Sequence, residues 1–199
     1  MKITLVLVGA LVALMAVGCK KGDSSLRAED VTTNTIIVKK DDTVQSSFVE
    51  EFDKEYYSKE ELEEFIDQEV KEYNDQNGEE QVKMSSIHVA DKKASVVFYY
   101  HDIEDYANFN GIDTRIFTIE QAGQDSDFLA AEFINAKTED SVAKDVVLQE
   151  EEAQVLLLQE PVVIKVEGTV LYYSNVKKIA KNEWQADGEN LAVVVYKKK

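Results

Sequence analysis

Ser58-Lys59-Glu60-Glu61-Leu62-Glu63-Glu64-Phe65-Ile66-Asp67-Gln68-Glu69-Val70-Lys71-Glu72-Tyr73-Asn74-Asp75-Gln76-Asn77-Gly78 is the stretch on which the fold turns. Ser58, followed by Glu61, forms a capping box: the hydroxyl accepts the Glu61 amide proton and the Glu61 side chain reaches back. Leu62, Phe65, Ile66, Val70 and Tyr73 recur at helical spacing and fall on one face. Asp67 and Lys71 stand one turn apart as a favourable pair. Asn77-Gly78 supplies the stop, with glycine free to turn left-handed. The spacing predicts an amphipathic helix over about 58–77.

Outward from this helix the hydrophobic period shortens. Upstream, Thr35 to Lys39 is β-branched and reads as a strand, Asp41-Asp42 as a turn, and Thr43 to Val49 as the returning strand. An aromatic and acidic stretch, Phe52 to Tyr57, leads into the helix. Downstream, Lys83 to Val89 and Ala94 to Tyr100 flank Asp91-Lys92-Lys93 as a second hairpin. Ile103 to Phe109 reads as a short helix closed by Asn110-Gly111, and Thr114 to Ile119 as a strand. Gln121 to Ser126 reads as a loop, Phe128 to Ala136 fits either period, and Ser141 to Glu152 is weakly helical. Gln154 to Leu158 and Pro161 to Val166 are strands, Glu167-Gly168 is a turn, Thr169 to Ser174 returns, and Leu191 to Lys197 is the last strand.

The expected class is therefore α+β: mainly antiparallel sheets built from hairpins, packed with one long helix. Regular βαβ alternation is lacking, which argues against a doubly wound parallel sheet. In the strand doublets Tyr99-Tyr100 and Tyr172-Tyr173, alternation predicts one ring in the core and one outside. Ile36 to Val44 resembles Val162 to Val170 residue by residue. Their flanks do not match and nothing repeats at a fixed period, so converging hairpin sequences explain the likeness better than duplication.

The chain has 199 residues, 22 basic and 39 acidic side chains, a formal charge of −17, two His, one Trp, one Pro and one Cys. An apolar fraction of 44% is enough for a core. One cysteine excludes a disulfide framework and a thiolate metal cluster. A surface this acidic argues against nucleic acid, which needs cations for its phosphates.

That cysteine has a setting. Met1-Lys2 precedes an unbroken apolar or small run from Ile3 to Gly18, then Cys19. The parts are those of a secretory signal. A bilayer core needs about 20 helical residues, so the run spans poorly. Met15-Ala16-Val17-Gly18-Cys19 resembles the lipobox of bacterial lipoproteins, with Ala16 where Leu is commonest. The resemblance implies a diacylglyceryl group on the Cys19 sulfur, cleavage after Gly18, and a mature chain beginning at Cys19. Each buried CH₂ adds about 0.8 kcal/mol, and two acyl chains anchor stably where one does not. In style (Lys far above Arg, acidic helix, Tyr-rich hairpins) the whole chain resembles the small lipoproteins of low-GC Gram-positive bacteria.

The expected organisation is a signal peptide at 1–18, a lipidated N-terminus and flexible tether at 19–31, and a single domain at 32–199. The tether from Lys20 is polar and reaches roughly 37 Å if extended. Lys20 and Lys21 read either as a pair that favours anionic head groups by about 1 kcal/mol each or as a basic pair with no role.

Chemistry is sparser. Cys19 is committed to lipid, and no Gly-x-Ser-x-Gly elbow exists for a serine nucleophile. His88 lies mid-strand. His101, beside Asp102, stands at a strand end as a possible pH-sensitive pair. Zinc motifs are lacking, and neither acidic group fits the EF-hand spacing. Calcium candidates are Asp102, Asp105 and Asp113, with Glu104, Asn108 and Asn110 around Gly111; Asp125 and Asp127 form a second group. No residue is assigned a catalytic role. Carboxylate acid–base chemistry at the envelope and calcium binding are the alternatives to a non-catalytic binding or structural role. The expected location is the outer face of the cell membrane. Expected partners are the membrane, through lipid on Cys19, and a protein or cationic ligand. Acidic runs such as Glu60 to Glu64 and Glu150 to Glu152 read first as solvated faces, with a docking field for such a partner as the alternative. No other cofactor is expected.

Overall fold

The computed structural model describes residues 25–198; the run 1–18, Cys19 and the first part of the tether lie outside the described residues. Among the described residues, thirteen strands form two sheets, with short helices and one long one.

The seven-stranded sheet begins with the two predicted hairpins. β1 (Thr35–Val38) pairs antiparallel with β2 (Val44–Glu51), and β2 with β4 (Lys93–Tyr100), which pairs in turn with β3 (Val82–Ala90). Asp91 and Lys92, at φ 52° and 61°, make the tight turn whose twist suits a two-residue hairpin. On its other side β1 pairs in parallel with β9 (Val163–Val166), the one parallel ladder among the described residues. The two look-alike segments are thus sheet neighbours, Ile36 opposite Ile164. The sheet is completed by β12 (Glu183–Ala186) and edge strand β11 (Val176–Ala180).

The six-stranded sheet runs β5 (Thr114–Thr118), β8 (Gln154–Leu158), β13 (Ala192–Lys198), β10 (Gly168–Ser174), β6 (Phe133–Asn135), β7 (Ser141–Val142). Leu156, Leu158, Val194 and Tyr196 meet Ile36, Val38, Val44 and Ile164 of the first sheet in a shared core. The alternate residues Val155, Leu157, Val193 and Val195 point the other way. There they meet α3 (Ile119–Ala122), α4 (Ser126–Ala130) and α5 (Lys144–Val147) through Ile119, Ala122, Phe128 and Val147. Burial on both faces is why these strands read as continuous apolar runs.

The long helix α1 (Lys59–Asn77) lies along β3, and Ser58 accepts the Glu61 amide proton as predicted. Its contact with the core is thin. Ile66 is buried, Leu62, Val70 and Tyr73 are half-buried, and Phe65 is 52% exposed. Other details differ from expectation. The Ser58 hydroxyl donates to Glu60. Lys71 pairs with Asp75, not Asp67. Gly78, at φ 125° and ψ 156°, takes an extended glycine conformation, not the helical left-handed one.

Four further expectations are corrected. The turn at Glu167-Gly168 does not close a hairpin: β9 belongs to one sheet and β10 to the other, so the chain changes layers there. A Cβ at Gly168 would collide with the Lys197 carbonyl oxygen, so the crossing needs glycine. Tyr172 and Tyr173 are both buried, because their sheet is covered on both faces. The segment 121–152 is helix and strand in short pieces; Thr118 and Gln121 form a reciprocal capping box that starts α3 inside the expected strand. Finally, the folded part begins before residue 32. Leu26 donates its amide to Gln45 (3.2 Å), Ala28 donates to Ser86 (3.1 Å), and Ala28 is buried.

Candidate functional site at the start of the second helix

β4 ends at Tyr100 and α2 (Ile103–Asn110) begins three residues on, so His101 and Asp102 sit at the junction. Asp102 is the N-cap. Its Oδ1 accepts the amide protons of Glu104 (2.8 Å) and Asp105 (2.9 Å), two donors a helix start leaves unpaired. At the other end, Gly111 closes α2 in the left-handed conformation at φ 66°.

Asp105 is buried and faces α1. Its Oδ1 accepts the Tyr73 hydroxyl at 2.9 Å. Burial holds the Asp105 carboxyl above the usual carboxylate range, and the Asp102 charge adds to this, against the Tyr73 bond. Burial and the Asp105 bond push Tyr73 up to about 12. His101 Nδ1 stands 3.5 Å from Asp102 Oδ2 and 4.0 Å from Asp105 Oδ2, with its side chain 66% exposed. The three ligand-bearing groups lie within 4.8 Å of one another. They are the atoms that would hold a cation here. Asp102 has one oxygen committed to helix amides, and the positive end of α2 opposes a cation.

Asp113 does not join them. It pairs with Arg115 at 3.0 Å, and Arg115 also holds Asp125 (3.2 Å) and Asp127 (2.5 Å). The second acidic group is thus built around a guanidinium, and Asp125 additionally caps α4. Asn110 turns inward, donating to the Tyr100 hydroxyl at 3.2 Å and to the Tyr106 carbonyl at 2.8 Å. His88 is exposed on edge strand β3.

Behind α2 lies a polar network that sequence reasoning missed. Tyr106 donates to Glu160 at 2.5 Å, and both are buried. The Tyr100 hydroxyl also meets Ser46 Oγ at 3.1 Å, and the Tyr100 and Tyr106 rings cross edge to face at 5.1 Å. Burial pushes the Glu160 carboxyl up, against the pull of the Tyr106 bond, and drives the Tyr106 phenol far up. The available signal was an acid set between two apolar runs, just before Pro161. Glu160 sits in the crossover from β8 to β9, so the network ties α2 to the place where the chain changes sheets.

The carboxyls held above their usual range, Glu50, Asp105 and Glu160, stand in three separate settings and share no hydrogen bond. Two open depressions mark the six-stranded sheet: one lined by Thr118, Glu120, Leu148 and Gln154, the other by Phe133, Val142, Lys144 and Asn175. No described helix is long and apolar enough to cross a membrane. No protein-family profile, curated protein or solved structure matches the chain.

Proposed function

We propose that the chain is a lipoprotein, anchored through diacylglycerol on Cys19 to the outer face of the cell membrane. Its folded domain serves there as a non-catalytic binding module. The observation that carries the reading is Met15-Ala16-Val17-Gly18-Cys19: the single cysteine follows an apolar run with small residues at its end. Two acyl chains of about 0.8 kcal/mol per buried CH₂ supply a lasting anchor. Docking of Leu26 and Ala28 onto the sheet supports a short leash. From Cys19 to Ser25 the chain reaches about 20 Å when extended, so the domain stays close to the head groups. The acidic charge supports a cationic partner, with association that is fast and salt-sensitive.

The test is metabolic labelling with a radioactive fatty acid. The wild-type protein takes up label and partitions with membranes, and Cys19→Ala takes up none. Equal labelling of the two proteins rejects the reading.

A further inference from the structure

The loop between β2 and α1 carries the most exposed large apolar side chain among the described residues, Tyr56, at 77%; Tyr57 beside it is 42% exposed. These rings are not loose. Phe52 and Tyr57 lie 4.8 Å apart, and Tyr56 meets Tyr57 at 5.0 Å, edge to face. The loop is pinned to the β3–β4 turn by the Phe52 amide on the Lys92 carbonyl at 2.7 Å. A fixed, solvent-facing aromatic cluster is unusual on a surface and common at interfaces.

The charge around it defines the occupant. Between residues 50 and 64, eight carboxylates stand against two lysines. Both lysines are already paired, Lys54 with Asp53 and Lys59 with Glu63, each at 3.0 Å. The β3–β4 turn that pins the loop adds Asp91 against Lys92 and Lys93. Carboxylates still outnumber lysines nine to four, so the field is negative, and the ring faces add their own negative quadrupole. A guanidinium or ammonium placed over a tyrosine face is attracted by both. An anionic bilayer is repelled by the same field. The strongly negative chain also repels a second copy of itself.

Orientation agrees. Gln45 and Ser86, which receive the first described residues, alternate with core residues and lie on the outer face of the seven-stranded sheet. α1 packs on the opposite, inner face through Ile66. Residues 26–28 and α1 thus sit on opposite sides of that sheet. We infer that Tyr56, Tyr57 and the carboxylates around them form a docking surface for an Arg- or Lys-rich polypeptide. The surface, at the start of α1, faces away from the membrane. Only its orientation rests on the lipoprotein reading; binding does not.

The test uses the full lipidated protein in detergent micelles and a fluorescent nona-arginine peptide, read by anisotropy. The replacement Tyr56→Ala with Tyr57→Ala leaves the charge unchanged and is expected to weaken binding about fivefold or more. Tyr56→Phe with Tyr57→Phe keeps both ring faces and is expected to bind as wild type. A control, Glu151→Gln with Glu152→Gln, removes two charges elsewhere and is expected to change affinity less than about twofold. Unchanged melting of the alanine variant shows that it folds. Wild-type affinity in the alanine variant overturns the proposal, as does an equal loss in the control, which would show binding to overall charge alone. On intact cells the peptide is expected to reach the wild-type protein. Binding in micelles without binding on cells would overturn the outward orientation while leaving the docking surface intact.

Discussion

The six-stranded sheet and the long helix α1 are attached to the molecule in opposite ways. The sheet has both faces buried: Leu156 and Val194 point to one cluster, Val155 and Val193 to the other. The helix buries only Ile66 fully, half-buries Leu62, Val70 and Tyr73, and leaves Phe65 in solvent. A fully covered sheet is where stability resides. A helix held along one thin seam is free to present charge and rings to a partner, and local opening should begin there.

The sharpest way to break this contrast is to cut a side chain from each region. Leu156→Ala removes a fully buried side chain from between the sheets and is expected to cost about 3–5 kcal/mol. In urea unfolding this appears as a lower midpoint at unchanged slope. Ile66→Ala, under α1, is expected to cost about 2 kcal/mol, with the loss confined to faster amide exchange in residues 59–77. Global exchange in Ile66→Ala would show α1 to be part of the same cooperative unit and would remove the contrast.

The Tyr106–Glu160 pair sharpens it from the polar side. Glu160→Ala leaves a buried hydroxyl without its acceptor and is expected to cost about 1–3 kcal/mol. Its pH behaviour follows from a folded-state pKa raised by burial. The folded protein holds that proton more tightly than the unfolded chain. The stability it contributes is complete below the unfolded pKa and is lost as pH rises through the folded one. Glu160→Gln has no such proton, so its melting temperature should gain on wild type in the window of rising pH above the ordinary carboxylate range. Parallel melting curves across that window would show that Glu160 ionises without cost.

Smaller effects belong to the helix end and the surface cluster. Ser58→Ala removes the cap on α1 and is expected to cost about 1 kcal/mol in thermal unfolding. At His101, Asp102 and Asp105, calcium at about 1 mM is expected to leave the melting temperature unmoved, because Asp102 is committed to helix amides and Asp113 to Arg115. A rise of several degrees would make the cluster a calcium site.

The same contrast explains what could be read in advance. α1 and the hairpins β1–β2 and β3–β4 are local objects, set by a cap, a period and a turn, and all were legible. Glu167-Gly168 looks like any hairpin turn; whether the next strand pairs back or joins another sheet depends on Lys197, far along the chain. β11 and β12 went unread because Lys177, Lys178 and Lys181 break the apolar signal, a composition typical of protected edges. The candidate site was half legible. Asp102 and Asp105 stood out as acids near Gly111, but Tyr73 is 32 positions from the Asp105 it holds, and Tyr106 and Glu160 are 54 apart. Pairs of that separation leave no local pattern. Arg115 stands only two positions from the Asp113 it holds, and it also reaches Asp125 and Asp127 on another loop.

The central claim is that the signal segment ends at Gly18 and the mature protein begins at Cys19. Mass spectrometry of the N-terminal peptide from membrane-purified protein tests it most directly. The account predicts a peptide beginning at Cys19 and carrying two acyl chains through the thioether-linked glyceryl group. A peptide beginning at Met1, or one that begins elsewhere with an unmodified Cys19, would contradict it.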